Sequence, residues 1–177
     1  LLPQYLQNGL LVAVALTGII MLSGGIINAV TSALAGRMYD SFGAKWPARI
    51  GFIIAFIGAL MLSIVTTHSA IWYVILAHII LMIGAPLAMS PSQTSALNSL
   101  KGLESADGSA ILNTMQQIVG ALATALATSF LTIGRNAVSG SAAFKFTNGV
   151  HYGMYFTIVL TIIGFIVALF VTDDGKE

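Results

Sequence analysis

The segment Gly36-Arg37-Met38-Tyr39-Asp40-Ser41-Phe42-Gly43-Ala44-Lys45 lies between two long apolar runs. The chain has only seven basic and six acidic side chains. Four of these thirteen fall in this segment or just after it: Arg37, Asp40, Lys45 and Arg49. Charged side chains are expensive inside a bilayer, so they gather where a chain leaves lipid. The segment therefore predicts a charged loop between two membrane-spanning helices.

The composition excludes a soluble protein. Of the 177 residues, 57% are hydrophobic and 7% are charged, whereas a soluble domain has about 25% charged residues. The net charge of +1 argues against nucleic acid as a partner. The absence of cysteine excludes disulfides, thiol catalysis and cysteine metal sites within this sequence.

Five stretches reach the length of about 20 apolar residues that a spanning helix needs. Because the bilayer core offers no water to backbone groups, these stretches must be helices or barrel strands. They lack the alternation of barrel strands, so we expect an all-α polytopic membrane helix bundle. The expected spans are 13–36, 47–65, 71–97, 109–133 and 153–171, and residues 1–8 resemble the remnant of one further helix already under way.

Basic residues in short loops predict the orientation of the bundle. The loop 37–49 contains three of them and is expected to be cytoplasmic, whereas the loop 66–69 contains none and is expected outside. By alternation, Lys101 and the C-terminal tail 173–177 are cytoplasmic, and the loop 135–150 is external. We expect a multi-pass protein of the cell membrane.

The spacing Gly36-x3-Asp40-x2-Gly43-x-Lys45 resembles the loop signature of the major facilitator superfamily, which joins the second and third helices of each six-helix half. Residues 1–8 (LLPQYLQN) and 110–120 (AILNTMQQIVG) are similar to the first and the penultimate helix of the C-terminal half in fourteen-span drug:proton antiporters. The chain departs from the pattern after Lys45, where Trp46-Pro47-Ala48 precede Arg49 and the family often has further basic residues.

This resemblance covers essentially the whole chain and implies a C-terminal transmembrane lobe, with the N-terminal lobe absent from this sequence. It implies a bacterial multidrug efflux antiporter that works by alternating access. The expected partners are the lipid bilayer, the N-terminal lobe of the same transporter, a small apolar or cationic substrate and protons. No cofactor, no metal and no enzymatic activity are expected.

Each residue of the charged segment has a physical interpretation. Gly36 lets a helix end against a neighbour, and Gly43 permits a reverse turn. Asp40 can accept hydrogen bonds from a helix N-terminus, where the dipole favours an anion. Arg37 and Lys45 can pair with acids or lipid phosphates. The resemblance implies a conformational-switch loop with Asp40 as its key residue; the alternative is a plain positive-inside anchor.

Polar side chains inside the spans avoid lipid, so they either hydrogen-bond a neighbouring helix or line a cavity. The resemblance favours a substrate cavity. In the first span Gly24, Asn28, Ser32 and Gly36 follow at four-residue spacing and share a helix face. For Asn28 the alternatives are the cavity wall and an interhelical hydrogen bond. The proposed cavity-lining set is Asn28, Gln93, Asn113, Gln116, Gln117 and Thr124.

The third span contains Gly84, Pro86 and Pro91, which predict a helix kink because proline removes a backbone hydrogen bond. Interrupted helices often mark transporter sites, although a static bend is the alternative. His78 in the same span is expected to be a hydrogen-bonded packing residue rather than a proton relay. His68 and His151 lie near loops and are expected to be solvated.

Some chemistry is missing from the chain. No carboxylate lies within an expected span, so a coupling acid is expected elsewhere in the transporter. No phosphate-binding loop or catalytic motif is present. Two alternatives to multidrug efflux stay open: the same fold exporting or importing a lipid, peptide or metabolite, and a membrane interaction module without transport.

Overall fold

Every long apolar run of the sequence folds as an α-helix in the computed structural model, which describes residues 1–98, 100 and 103–171. Lys101 and the tail 173–177, whose side of the membrane the sequence predicts, lie outside the described residues. The helices are α1 Leu2–Asn8, α2 Val14–Phe42, α3 Lys45–Ser63, α4 Ile71–Asn98, α5 Leu103–Asn136 and α6 Ala142–Leu169.

Five of these helices, α2 to α6, are long and apolar enough to cross a membrane. The outward face of α2 is apolar: Leu22 is 62% exposed, Ile26 57% and Val30 53%. A water-soluble surface does not present a continuous apolar face of this kind, whereas lipid requires one. The expected all-α membrane helix bundle, with five spans and a short preceding helix, is confirmed.

The helices run up and down, so that consecutive connections lie at opposite ends of the bundle. We call the end that carries Gly43 and Ala44 the turn end, and the end that carries residues 64–70 the loop end. The most extensive contacts join α3 to α4, α5 to α6, α2 to α4 and α3 to α6. Because α5 contacts mainly α6, it is the least covered of the five spans in the described part of the chain.

Small residues allow α3 and α4 to approach closely. A Cβ built on Gly58 of α3 would lie 2.6 Å from the backbone nitrogen of Leu81, and one built on Gly84 of α4 would lie 2.6 Å from the Cα of Ala55. Ala59 is fully buried beside them. In lipid, where helices gain little from apolar burial, such close backbone contact is a main source of association.

A second packed region lies at the loop end, beneath the short helix α1. Tyr5 and Leu6 of α1 are fully buried, and the Tyr5 hydroxyl donates a 2.6 Å hydrogen bond to the carbonyl of Thr66. The surrounding apolar cluster draws on all five spans, with Ile20, Leu62, Val74, Leu131 and Val150 among its members. This cluster fixes α1 against the loop end.

Three helix boundaries differ from the sequence-based expectation by six residues or more. α5 begins at Leu103, six residues before the expected start at 109. α2 ends at Phe42, six residues beyond the expected end at 36. α6 begins at Ala142, eleven residues before the expected start at 153, and Ser141 caps it by accepting a 3.2 Å hydrogen bond from the Phe144 amide. The expected external loop 135–150 is therefore mostly helical.

Candidate functional site

The charged segment that begins at Gly36 is helical rather than a loop, which corrects the sequence-based expectation. α2 continues to Phe42, and only Gly43 and Ala44 separate it from α3. Gly36 does not end the helix, and nothing lies within 4 Å of a Cβ built on it. The physical reason is that charged residues such as Arg37 are good helix formers, so the helix continues after it has left the apolar stretch.

The turn between α2 and α3 depends on Gly43. Its φ is +72°, in a region that side chains rarely adopt, and its amide donates a 2.8 Å hydrogen bond to the carbonyl of Tyr39. Two residues therefore reverse the chain, and the end of α2 and the beginning of α3 are held at short range.

The other residues predicted for the switch lie around this turn. Arg37 and Asp40 are exposed on the last turns of α2, and Lys45 is half-buried as the first residue of α3. Between Arg37 and Asp40, Tyr39 accepts a 3.1 Å hydrogen bond at its hydroxyl from the Nδ2 of Asn98, the last residue of α4. The end of α4 is thus tied to the switch segment.

Arg49 makes a contact at the turn end that the sequence did not reveal. Its Nε donates to the carbonyl of Ala168 (3.3 Å) and its second terminal nitrogen to the carbonyl of Leu169 (2.7 Å). These carbonyls end α6, where the helix dipole favours a cation. Arg49 therefore joins the beginning of α3 to the end of α6, although it lies further from Gly43 than the family pattern places its basic residues.

The predicted kink residues lie in a continuous helix. α4 runs from Ile71 to Asn98 through Pro86 and Pro91, both of which are buried. Gly84 lies two residues before Pro86 and seven before Pro91, at a close approach to α3, where a Cβ would lie 2.7 Å from the carbonyl oxygen of Gly51. This part of α4 is in tight contact with α3, and a conformationally active bend in it stays a prediction.

Asn28 lies at the contact between α2 and α4. It is half-buried, and its Nδ2 is 3.9 Å from the Sδ of Met82. The buried face of α2 includes Thr17, Ile20, Gly24, Thr31 and Ala35, at spacings nearer 3.5 than four residues. A strict four-residue stripe rotates away from such a face, because a helix has about 3.6 residues per turn. Gly24 therefore packs against α4, whereas Gly36 does not.

Most of the predicted cavity-lining residues lie on α5. Asn113, Gln117 and Thr124 are exposed, and Gln116 is half-buried. The Thr124 hydroxyl donates a 2.8 Å hydrogen bond to the carbonyl of Gly120 in its own helix, so that its polar group is satisfied locally. The amide side chains of Asn113 and Gln117 on this face need hydrogen-bond partners from water or from protein, because lipid offers none.

The described residues do not bring the predicted lining set into one cavity. Asn28 is on α2, Gln93 is half-buried on α4, and the other four are on α5. A cavity of about 520 Å³ lies between the end of α4 and the beginning of α5, and it contains none of them. Its lining is Ala96, Leu97, Leu100, Asp107, Gly108, Ile111, Leu112 and Met115.

Two histidines differ from their expected environments. His78 is buried, but its Nε2 has no hydrogen-bond partner among the described residues, so the expected hydrogen bond at this atom is wrong. The physical reason is that its ring lies against Gly24 of α2, which has no side chain to offer. His151 is half-buried, and its Nε2 is hydrogen-bonded to the carbonyl of Val65 rather than only to solvent.

The comparisons with known proteins agree on one family. A family model described as the Major Facilitator Superfamily matches residues 1–177. The lincomycin resistance protein LmrB of Bacillus subtilis (strain 168) is 37% identical over 179 residues, which cover 96% of this chain and 37% of that protein. LmrB of Listeria monocytogenes serovar 1/2a is 34% identical over 179 residues, which cover 97% of this chain and 38% of that protein.

A further relative in Bacillus subtilis (strain 168), the uncharacterized MFS-type transporter YcnB, is 27% identical over 170 residues, which cover 95% of this chain and 36% of that protein. No solved structure matches the chain. The chain thus spans little more than a third of the length of these curated relatives.

Proposed function

The chain belongs to the major facilitator superfamily of membrane transporters, and on that premise we propose that it forms the C-terminal lobe of a multidrug efflux transporter. The transporter exchanges protons for small apolar or cationic compounds by alternating access. The family places the protein among transporters rather than enzymes. The names of the LmrB relatives refer to resistance to lincomycin, and we propose that this protein exports antibiotics of that kind.

The observation that carries the proposal is the uncovered polar face of α5. Asn113 and Gln117 are exposed on a helix that is long and apolar enough to span a membrane. An amide that faces lipid has no hydrogen-bond partner, so such residues face protein or water instead. In the proposed transporter this face of α5 borders the substrate path between the two lobes.

The geometry at the turn end supports a switch that moves as one body. Asp40 and Arg37 extend from α2, which is helical up to Gly43 and is tied to α4 through Tyr39 and Asn98. A contact made by Asp40 with the other lobe would therefore act on α2 and α4 together. Alternating access requires this kind of rigid rocking of one lobe against the other. The orientation with the turn end in the cytoplasm is part of this proposal.

The proposal is tested with the complete transporter in a drug-susceptible bacterial strain. Gln117→Leu keeps a similar side-chain volume and removes the amide. It is expected to lower lincomycin efflux by about 2- to 13-fold, the equivalent of one hydrogen bond of about 0.5–1.5 kcal/mol. Resistance to lincomycin and the rate of drug efflux from loaded cells are measured, and the amount of protein in the membrane is determined by immunoblot.

The matched control is Ser129→Ala on the same helix. The Ser129 hydroxyl donates a 3.0 Å hydrogen bond to the carbonyl of Ala125, so its removal is expected to leave efflux unchanged. Equal efflux in the two variants at equal membrane abundance would show that this face of α5 does not border the substrate path. Failure of the unsubstituted protein to confer resistance to any drug would overturn the efflux proposal itself.

A further inference from the structure

His78 is the buried polar group that the proposed transport surface leaves unexplained. It is 3% exposed in the loop-end half of α4, and its Nε2 has no hydrogen-bond partner among the residues that the structure describes. Buried polar atoms are nearly always hydrogen-bonded, so an unpartnered one needs a physical reason. In a membrane helix, an ionisable residue of this kind is a candidate for function.

On the side of α2, the imidazole lies against Gly24. A Cβ built on Gly24 would meet the Nε2 of His78 and would lie 2.5 Å from its Cδ2. Asn28 and Met82, each four residues further along its helix, are also in contact. α2 and α4 therefore run parallel here, with contacts at the same spacing on both helices. The contact closes over His78 only because position 24 has no side chain, and a small separation of α2 from α4 would uncover Nε2.

Resting on the proposed proton exchange, we propose that His78 is a proton-binding site that opens and closes with the contact between α2 and α4. When α2 moves away, the lone pair of Nε2 takes a proton from water and the ring becomes imidazolium. When Gly24 closes on the ring, the proton returns to water and the neutral imidazole is buried. The closed contact shown by the structure is the proton-free state.

The surroundings of His78 favour loss of the proton when the contact closes, because a buried cation needs a counter-charge or hydrogen bonds. The sequence has no charged or titratable side chain from Val14 to Gly36 on α2, nor from Gly51 to Ser63 on α3. On α4 itself the neighbouring titratable group is Tyr73, whose hydroxyl already donates to the carbonyl of Met61.

Arg135 lies at the loop-end terminus of α5, but it is itself a cation over the ring of Phe146 and cannot balance imidazolium. The other charged groups described on the adjoining helices lie at the turn end, away from His78. They are Arg37 and Asp40 on α2, Lys45 and Arg49 on α3, and Asp107 in the described part of α5, where α5 meets the end of α4. None of them reaches the loop-end half of α4 at the rise of about 1.5 Å per residue. Imidazolium at position 78 would therefore be unpaired while the contact is closed.

The size of the effect follows from one proton of difference between the closed and open states. An accessible imidazole titrates near pH ~6.5. If only the open state binds the proton, the closed-to-open ratio falls by about 30-fold between about pH 8 and about pH 5. The sign is fixed: the closed contact is favoured at high pH and is lost as the pH falls.

The contact can be followed with two cysteines in the complete transporter, reconstituted in liposomes without substrate or pH gradient. Asn28→Cys and Met82→Cys are combined, any cysteines elsewhere in the protein are replaced, and the rate of cross-linking by a short bifunctional thiosulfonate is measured at each pH. The rate is corrected for the reactivity of each single cysteine. The corrected rate follows the closed fraction, so it is expected to fall toward low pH, by up to about 30-fold where the open state predominates; His78→Gln is expected to remove this fall.

His151→Gln provides the matched control, since this histidine is bonded to the Val65 carbonyl outside the contact. It is expected to leave the pH dependence unchanged. A pH dependence that survives in His78→Gln, or a contact that does not respond to pH, would overturn the proposal. Nitrogen NMR of the histidine-labelled, unsubstituted protein follows protonation of the His78 ring directly, so this measurement does not depend on a variant that folds. A His78 ring that stays neutral across the pH range would also refute the proposal.

Drug efflux driven by a pH gradient is measured in the same liposomes, so that the two proposals can fail separately. No gradient-driven efflux together with a pH-dependent contact would overturn proton-coupled efflux and retain proton binding at His78. Gradient-driven efflux together with a pH-independent contact would overturn the assignment of His78 and retain the transport function.

Discussion

The close contact between α3 and α4 predicts that Gly58→Ala destabilises the bundle. A Cβ at position 58 would lie 2.6 Å from the backbone nitrogen, 2.8 Å from the Cα and 2.9 Å from the Cβ of Leu81. Ordinary contact begins at 3.4 Å, so the two helices must separate by about 0.8 Å (3.4 minus 2.6). Because the nearest atoms belong to backbone, no flexible side chain can absorb this movement.

The magnitude follows from two opposing effects. Overpacking a closely fitted contact costs about 1–3 kcal/mol, and a gap of about 0.5–1 Å in the rest of the contact removes a quarter to a half of its dispersion energy. Alanine recovers at most about 1 kcal/mol of helix propensity over glycine. We expect a net loss of about 2 kcal/mol in the free energy of unfolding, which lowers the unfolding temperature by several degrees.

The assay is thermal unfolding of the purified protein in detergent, followed by size-exclusion chromatography of the surviving folded fraction. Gly25→Ala is the matched control, because it lies inside α2 and nothing lies within 4 Å of its Cβ. It is expected to be neutral or slightly stabilising. If Gly58→Ala unfolds at the same temperature as Gly25→Ala, the two helices are not in backbone contact and the reasoning is refuted.

Three further substitutions test other contacts. Tyr5→Phe removes the hydroxyl that holds α1 to the loop end and is expected to cost about 0.5–1.5 kcal/mol in the same unfolding assay; an unchanged unfolding temperature would contradict that hydrogen bond. Arg49→Met leaves the carbonyl of Leu169 without its cation, and it is expected to speed hydrogen exchange at the end of α6 by at least about tenfold. Arg37→Met, at an exposed position, is expected to leave this exchange rate unchanged. Equal exchange rates in the two variants would be evidence against the contact. Asp40→Asn in the complete transporter is expected to lower efflux at unchanged membrane abundance; loss of the protein from the membrane would indicate a folding role instead.

Hydropathy was sufficient to predict the five spans, because lipid imposes the same demand on every apolar run. It failed where helices extend beyond lipid. Asn148 and His151 read as loop residues, yet they lie on α6 and bind the carbonyls of Gly134 and Val65. A polar side chain in a sequence does not reveal whether its partner will be water or the end of another helix.

The contacts between helices were less accessible to prediction. The close packing of α3 had a readable signal, since Gly51, Ala55 and Ala59 follow at four-residue spacing and allow close approach in lipid. His78 had no such signal. Its unpartnered nitrogen results from meeting Gly24, which is 54 residues away, and no local pattern links the two positions.

The contact of Arg49 with the end of α6 also sets an order of events during synthesis. The two partners are 119 and 120 residues apart in the chain, so at about 5–20 residues per second the ribosome needs roughly 6–24 s to make the second after the first. Throughout that interval the Arg49 guanidinium lacks the carbonyls of Ala168 and Leu169 as partners. The bond can form only after α6 has been made and inserted, so it reports that α6 has joined α3 in the bundle.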